Sequence, residues 1–186
     1  LAMMESARED GVAVACDVYP YTAGSTQLIH VLPPECQTGG LEQLSERLGD
    51  AAFRAQLRER MQTGEDFENI SLLAGWENIR IAALAGAEDQ KYVGQSIAAL
   101  AEKEGKDPFD ALFDLLAREH CAVTMIDEIA CEDDLEAILR DGHSSIISDS
   151  IYPGSGLCHP RVYGTFVRVI ERYVRERGVL TLEEAV

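Results

Sequence analysis

An aspartate closing a short apolar run, a tyrosine-rich turn and a His-Pro-Arg triplet are the parts of this sequence able to do chemistry. Asp149 follows Ser145-Ile146-Ile147-Ser148, read as a strand over 145–148. In α/β barrels the C-terminal strand ends carry the catalytic groups. A strand-end aspartate also serves as a cap or turn former, which is its commoner use. Residues 19–26, Tyr19-Pro20-Tyr21-Thr22-Ala23-Gly24-Ser25-Thr26, follow a second apolar run. They bring phenol and hydroxyl donors to a strand end, chemistry suited to holding a carboxylate or an amide; a tight turn with packing tyrosines is the plainer use. Arg161, in His159-Pro160-Arg161, can fork a carboxylate with two parallel hydrogen bonds or stand as a surface arginine. His143 reads as a solvated loop residue, and His30 and His120 as packed or surface groups. With no HxH, HExxH or CxxC, the sequence offers no complete metal site.

These groups need elements to position them. The run at 12–18 is short and valine-rich and closes on Tyr-Pro-Tyr, which predicts a strand buried on both faces in a parallel sheet. Residues 22–26 read as a loop. Further strands are expected at 79–84 and 122–126. Helices are expected at 1–10, twice within 41–61, at 96–104, from Asp107-Pro108 onward, at 131–139 and at 163–177. Asp107 before Pro108 is an N-cap with proline at the first helical position, and Phe109, Leu112, Phe113 and Leu116 fall on one face. Thr181 with Glu184 spells a capping box for a final helix. A glycine-rich loop, 152–156, follows Asp149.

Composition bounds the partners. The chain has 186 residues, 46% hydrophobic and 26% charged, which suits one soluble domain with a real core. A net charge of -17 repels phosphate backbones and anionic surfaces, so neither nucleic acid nor membrane is an expected partner. No apolar run reaches membrane-spanning length, and no secretory signal is seen at the N-terminus. The five cysteines, Cys16, Cys36, Cys121, Cys131 and Cys158, have no pairing pattern and suit a reducing cytoplasm. Both ends of the chain read as cut, the first inside a helix and the last just after one opens.

Taken together, the segments resemble the N-acyl-D-amino-acid deacylases (D-aminoacylases) of the amidohydrolase superfamily. The resembling blocks are Asp17 to Thr26 (DxYPYxAGST), Ile147-Ser148-Asp149-Ser150, and His159 to Phe166 (HPRxYGTF). Trp76-Glu77-Asn78-Ile79, Gly105-Lys106-Asp107-Pro108 and the segment 172–186 also fit. Ser150 departs from a glycine common in the family after the aspartate.

The resemblance implies an α/β fold: part of a metal-dependent TIM barrel, a single incomplete domain over 1–186. Strands 12–18 and 145–148 would be the last of the barrel, with a helical insertion over about 33–107 covering the active site. It implies Zn²⁺ as cofactor and a small N-acyl-D-amino acid as substrate, hydrolysed to a carboxylate and a free D-amino acid. Asp149 would be the metal-proximal catalytic aspartate, and Tyr19, Ser25 and Arg161 would bind the substrate carboxylate. The other metal ligands and the rest of the barrel are expected outside this chain, which would be inactive alone. Two further readings stand beside it: a non-catalytic α/β binding or assembly module, and another amidohydrolase acting on cyclic or linear amides.

Overall fold

The computed structural model describes residues 1–64, 66–152 and 154–186. Pro153, inside the expected glycine-rich loop, lies outside them. The fold is mixed α/β and divides into two compact units. The first comprises Leu1–Thr22, Ala130–Tyr152 and His159–Val186; the second comprises Ala23–Ile129 and Pro153–Cys158. The second unit thus reaches beyond 33–107 at both ends.

The first unit holds α1 (Ala2–Glu9), β1 (Cys16–Val18), α7 (Glu132–Leu139), β5 (Ser144–Ile146) and α8 (Arg161–Arg168), which runs on as a π-helical segment, Val169–Glu176. β1 and β5 pair in parallel, with Cys16 opposite Ser144 and Val18 opposite Ile146. The Ile147 N–H extends the ladder to the Val18 carbonyl at 3.0 Å. β1 is shorter than the strand expected at 12–18 and is not buried on both faces: Cys16 and Val18 are half-buried and Asp17 is exposed. The reason is pairing. Among the described residues β1 has one neighbour, β5, and the ladder begins where that neighbour begins, Cys16 opposite Ser144. The core of this unit is Leu135, Leu139, Val169, Tyr173, Val179 and Leu180, with Val18 and Ile146 against it. Cys131 caps α7, its Sγ accepting from the Asp134 N–H, and three acidic residues follow in the first turn, where the helix dipole favours them. Thr181 and Glu184 do form the reciprocal capping-box bonds. Only turns follow, where the sequence predicts a helix.

The second unit is a three-stranded antiparallel sheet in the order β2-β4-β3, formed by β2 (Ala23–Gln27), β3 (Ile79–Leu84) and β4 (Val123–Glu128). Residues 22–26, expected as a loop, are mostly strand. Ala23 and Gly24 have little strand preference of their own; register with β4, Ala23 opposite Glu128 through Gln27 opposite Thr124, imposes it. Helices α2 (Leu41–Arg47), α3 (Ala51–Thr63), α4 (Ile70–Ala74), α5 (Ile97–Glu104) and α6 (Pro108–Arg118) complete the unit. α6 starts as its sequence dictates: the Asp107 carboxylate accepts from the Phe109 N–H at 2.9 Å, ahead of Pro108. Its face of Leu112, Phe113 and Leu116 is fully buried, each side chain contributing roughly 1.5–3 kcal/mol of burial free energy. The loop after residue 153 adds to this sheet. The Leu157 N–H bonds the Ala82 carbonyl at 2.7 Å, at the bulge that shifts β3 register between Ile81 and Ala83. Gly156 makes the approach possible: at φ +78, a Cβ there would stand 2.2 Å from the Ala82 oxygen.

No helix among the described residues is long and apolar enough to cross a membrane. All five cysteines are free thiols.

Candidate active site

The first unit gathers three of the sequence-selected residues. β5 ends at Ile146, and the chain runs on to Asp149, which holds a left-handed backbone, φ 45. Aspartate is among the few side-chain-bearing residues that tolerate this region, and such conformations concentrate at functional sites. The turn re-aims the carboxylate: Asp149 Oδ2 lies 3.0 Å from Arg161 Nη1. The two ends of this ion pair differ sharply in exposure, 2% for the Arg161 side chain and 52% for Asp149. The guanidinium is therefore held in the protein while the carboxylate faces outward.

Arg161 opens α8, and that helix presents a second arginine two turns later. Arg161 and Arg168 are seven positions apart, which puts them on one face about 10 Å apart along the axis. On that face lies the Tyr19-Pro20-Tyr21 segment. The Arg161 guanidinium stacks 4.7 Å over the Tyr19 ring, and that of Arg168 stacks 4.7 Å over Tyr21. Arg168 Nε also donates to the Pro20 carbonyl at 2.6 Å. Tyrosine, arginine, tyrosine and arginine thus alternate along a fixed strip. Burial pushes the Tyr21 phenol above its ordinary value, partly offset by the charge of Arg168. Gly164, from the YGTF part of the motif, allows the close approach, since a Cβ there would meet the Tyr21 hydroxyl at 3.0 Å.

His159 sits at the centre of this strip and is 3% exposed. Its ring meets Tyr21 edge-on at 5.1 Å and Tyr19 at 6.4 Å. Its Nδ1 accepts the Arg161 backbone N–H at 3.0 Å. The Arg161 carbonyl in turn accepts from Thr165 Oγ1 at 2.8 Å and Ser150 Oγ at 3.4 Å.

Ser25 belongs to the second unit. It lies on β2, 7% exposed, and its hydroxyl donates to the Met125 carbonyl at 3.0 Å. Sequence reasoning includes Tyr21 in the 19–26 segment without a role of its own, and misses Arg168 and the bond made by His159. The seven-residue spacing of the arginines and the two-residue spacing of the tyrosines are the available signal. His143 is 60% exposed and bonds Asp141 at 3.2 Å, away from this strip.

Among the described residues no group of three or more His, Cys, Asp or Glu is arranged to hold a metal ion. Asp149 is a carboxylate donor with an exposed oxygen, fit to serve as one ligand, but these residues alone do not fit a complete metal centre.

No family model matches the chain. It is 30% identical over 186 residues to the N-acyl-D-glutamate deacylase of Alcaligenes xylosoxydans xylosoxydans, covering all of this chain and 28% of that protein. It is 34% identical over 93 residues to the D-aminoacylase of the same organism, covering 50% of this chain and 18% of that one. Among solved structures it is similar to the N-acyl-D-glutamate deacylase of Bordetella bronchiseptica, complexed with zinc and a phosphonate inhibitor. The TM-score is 0.65 and the identity 28%, over 99% of this chain and 29% of the other. A D-aminoacylase structure described as defining a novel subset of amidohydrolases gives a TM-score of 0.64 at 26% identity, covering 99% and 28%. The chain spans less than a third of the length of these relatives. By sequence over its whole length and by fold, the chain belongs to the N-acyl-D-amino-acid deacylase (D-aminoacylase) family of the amidohydrolases, as a segment of about 28% of a member's length.

Proposed function

We propose that this chain is part of a zinc-dependent hydrolase that cleaves the amide bond of N-acyl-D-amino acids, releasing a carboxylate and a free D-amino acid. The observation that carries the reading is the convergence of Tyr19, Asp149 and Arg161, from three separate motifs, into one contacting group. The names of the relatives support it, as does the zinc and tetrahedral-intermediate mimic bound in the Bordetella bronchiseptica structure. In this reading β1 and β5 are two strands of a TIM barrel. The remaining strands and metal ligands lie outside this chain. The free thiols suit a cytoplasmic enzyme.

Amide hydrolysis needs a base for the attacking water and an acid for the leaving amine, and one carboxylate can serve both in turn. Asp149 is suited to both roles, because its carboxylate is exposed on one side and anchored on the other by Arg161. A guanidinium can bind a carboxylate through paired donors, and Arg161, beside Tyr19, is assigned to the substrate carboxylate. A self-contained binding module fits less well, because β1 and β5 form a two-stranded sheet rather than a closed one.

The test compares two proteins. The full-length protein carrying this segment hydrolyses N-acetyl-D-glutamate or another N-acetyl-D-amino acid in preference to the L-enantiomer. The isolated 186-residue chain does neither this nor tight zinc binding. Absence of turnover on any N-acyl-D-amino acid by the full-length protein overturns the activity, and turnover by the isolated chain overturns its dependence on the rest.

A further inference from the structure

We infer that His159 is a positioning residue for the proposed reaction: its Nδ1 fixes the start of α8 and so aims the Arg161 guanidinium between Asp149 and Tyr19. α8 begins at Arg161, and its formal N-cap, Pro160, makes no side-chain capping bond. The capping acceptor comes one residue earlier. His159 Nδ1 takes the Arg161 N–H at 3.0 Å, two residues along, which is the bond an aspartate or asparagine makes in an Asx turn. An acceptor at Nδ1 carries no proton there, so the neutral ring bears its hydrogen on Nε2.

The imidazole itself meets the rings of Tyr19 and Tyr21 in edge contacts and is 3% exposed. Arg161 therefore has its backbone tied to one motif and its guanidinium stacked on the tyrosine segment that this histidine also meets. This matters because Arg161 is the residue whose Nη1 meets Asp149. A histidine, rather than the commoner Asx residue, supplies a ring broad enough to reach both tyrosines while its near nitrogen caps the helix.

The inference rests on the deacylase reading for its kinetic consequence but not for its geometry, and the experiment separates the two. Three variants of the full-length protein are compared: His159→Ala, His159→Asn and His159→Gln. Asparagine places an oxygen where Nδ1 stands, whereas glutamine places one nearer Nε2. With a carboxylate-bearing N-acyl-D-amino acid, kcat/KM should fall on the order of 100-fold in H159A and H159Q and stay within about threefold of wild type in H159N. An N-acyl-D-amino acid amide, whose neutral terminus needs no guanidinium, should lose less, which a merely structural cap would not produce. All variants are assayed well below their unfolding temperatures. Equal activity in H159Q and H159N, or wild-type activity in H159A, overturns the inference. Independently of any activity, ring-¹⁵N spectroscopy of the wild-type protein, assigned by the signal lost in H159N, should show Nδ1 unprotonated and Nε2 protonated. A protonated Nδ1 overturns the inference even if the enzyme works as proposed. If the protein hydrolyses no such substrate, the tautomer measurement still decides the geometry.

Discussion

Arg161 Nη1 lies 3.0 Å from Asp149 Oδ2, a buried cation anchoring a carboxylate that faces outward. Asp149→Asn keeps the shape and the turn, since asparagine also tolerates positive φ. It removes the base. In the full-length protein, turnover of an N-acyl-D-amino acid should fall about 10²- to 10⁴-fold while bound zinc changes less. Near-normal turnover with metal content intact would remove Asp149 from the chemistry.

Tyr19 offers Arg161 a ring face, and its hydroxyl is the part assigned to substrate. The two roles separate by substitution. Tyr19→Phe keeps the stack on Arg161 and should raise KM. Tyr19→Ala loses both, adding a stability cost of about 0.5–2 kcal/mol in urea unfolding. Equal KM in wild type and Y19F argues that the hydroxyl does not touch substrate.

Glu132 on α7 receives Arg172 Nε at 3.1 Å and the Tyr173 hydroxyl at 2.9 Å. The Arg172 bond, then that from Tyr173, holds its carboxyl below the ordinary 4.5. A lowered folded-state pKa means stability that is present above the ordinary value and lost as pH falls through the lowered one. Tyr173 is the mirror case. Burial, then the bond to Glu132, raises its phenol above the ordinary 10.0. Its contribution is complete below that value and lost as pH rises through the raised one. Urea midpoints measured against pH should show Glu132→Gln flattening the acid limb and, because Glu132 helps raise Tyr173, part of the alkaline limb, and Tyr173→Phe flattening the alkaline limb while costing about 1.5–3 kcal/mol at neutral pH. An acid limb unchanged in E132Q would show that other carboxylates carry it.

Gly156 is squeezed against Ala82 with φ +78. Gly156→Ala should break the bond from the Leu157 N–H and cost about 1–3 kcal/mol. Hydrogen exchange reads the effect directly: the Leu157 amide loses protection in the variant, while amides in β4 keep theirs. A protected Leu157 amide in G156A would mean that the loop accommodates the methyl group by shifting as a whole.

The thiols give a simple chemical check. Burial pushes the thiols of Cys36 and Cys121 above their ordinary value, whereas Cys131 is exposed. A thiol reagent at mildly alkaline pH should modify Cys131 within minutes and reach Cys36 and Cys121 on unfolding. Fast labelling of Cys121 in the folded protein would contradict its burial.

How much of this is legible in the sequence differs by element, and for physical reasons. α6 is legible in full because Asp107-Pro108 starts it and its apolar spacing is strictly helical; both signals are local. β3 is legible because all of its residues save Arg80 are apolar and buried. β2 is not, because Ala23-Gly24-Ser25-Thr26 becomes a strand only through pairing with β4, far away in sequence. β1 is overdrawn for the converse reason: Val12 and Val14 are strand-formers with no ladder partner among the described residues. At the site, the motifs select Tyr19, Asp149 and Arg161. The Arg168 stack on Tyr21 and the His159 bond stay hidden, because each depends on which face of α8 meets the Tyr-Pro-Tyr segment.

The chain passes between the two units at Thr22, Ala130, Tyr152 and His159, so the first unit is assembled from three separated pieces. Its parallel pair joins Cys16 to Ser144 across nearly the whole intervening sequence, a loop whose closure is entropically slow. The second unit lowers that cost for the parallel pair by closing most of the loop itself. Once Ala23 pairs with Glu128, the Ala130 N–H reaches the Thr22 carbonyl at 3.1 Å, and β1 and the segment leading to β5 leave from adjacent points. With the antiparallel sheet in place, the parallel pair closes over a much shorter effective loop. The unit with no catalytic carboxylate of its own in the proposed mechanism thus shortens the closure of the strand pair that leads to Asp149.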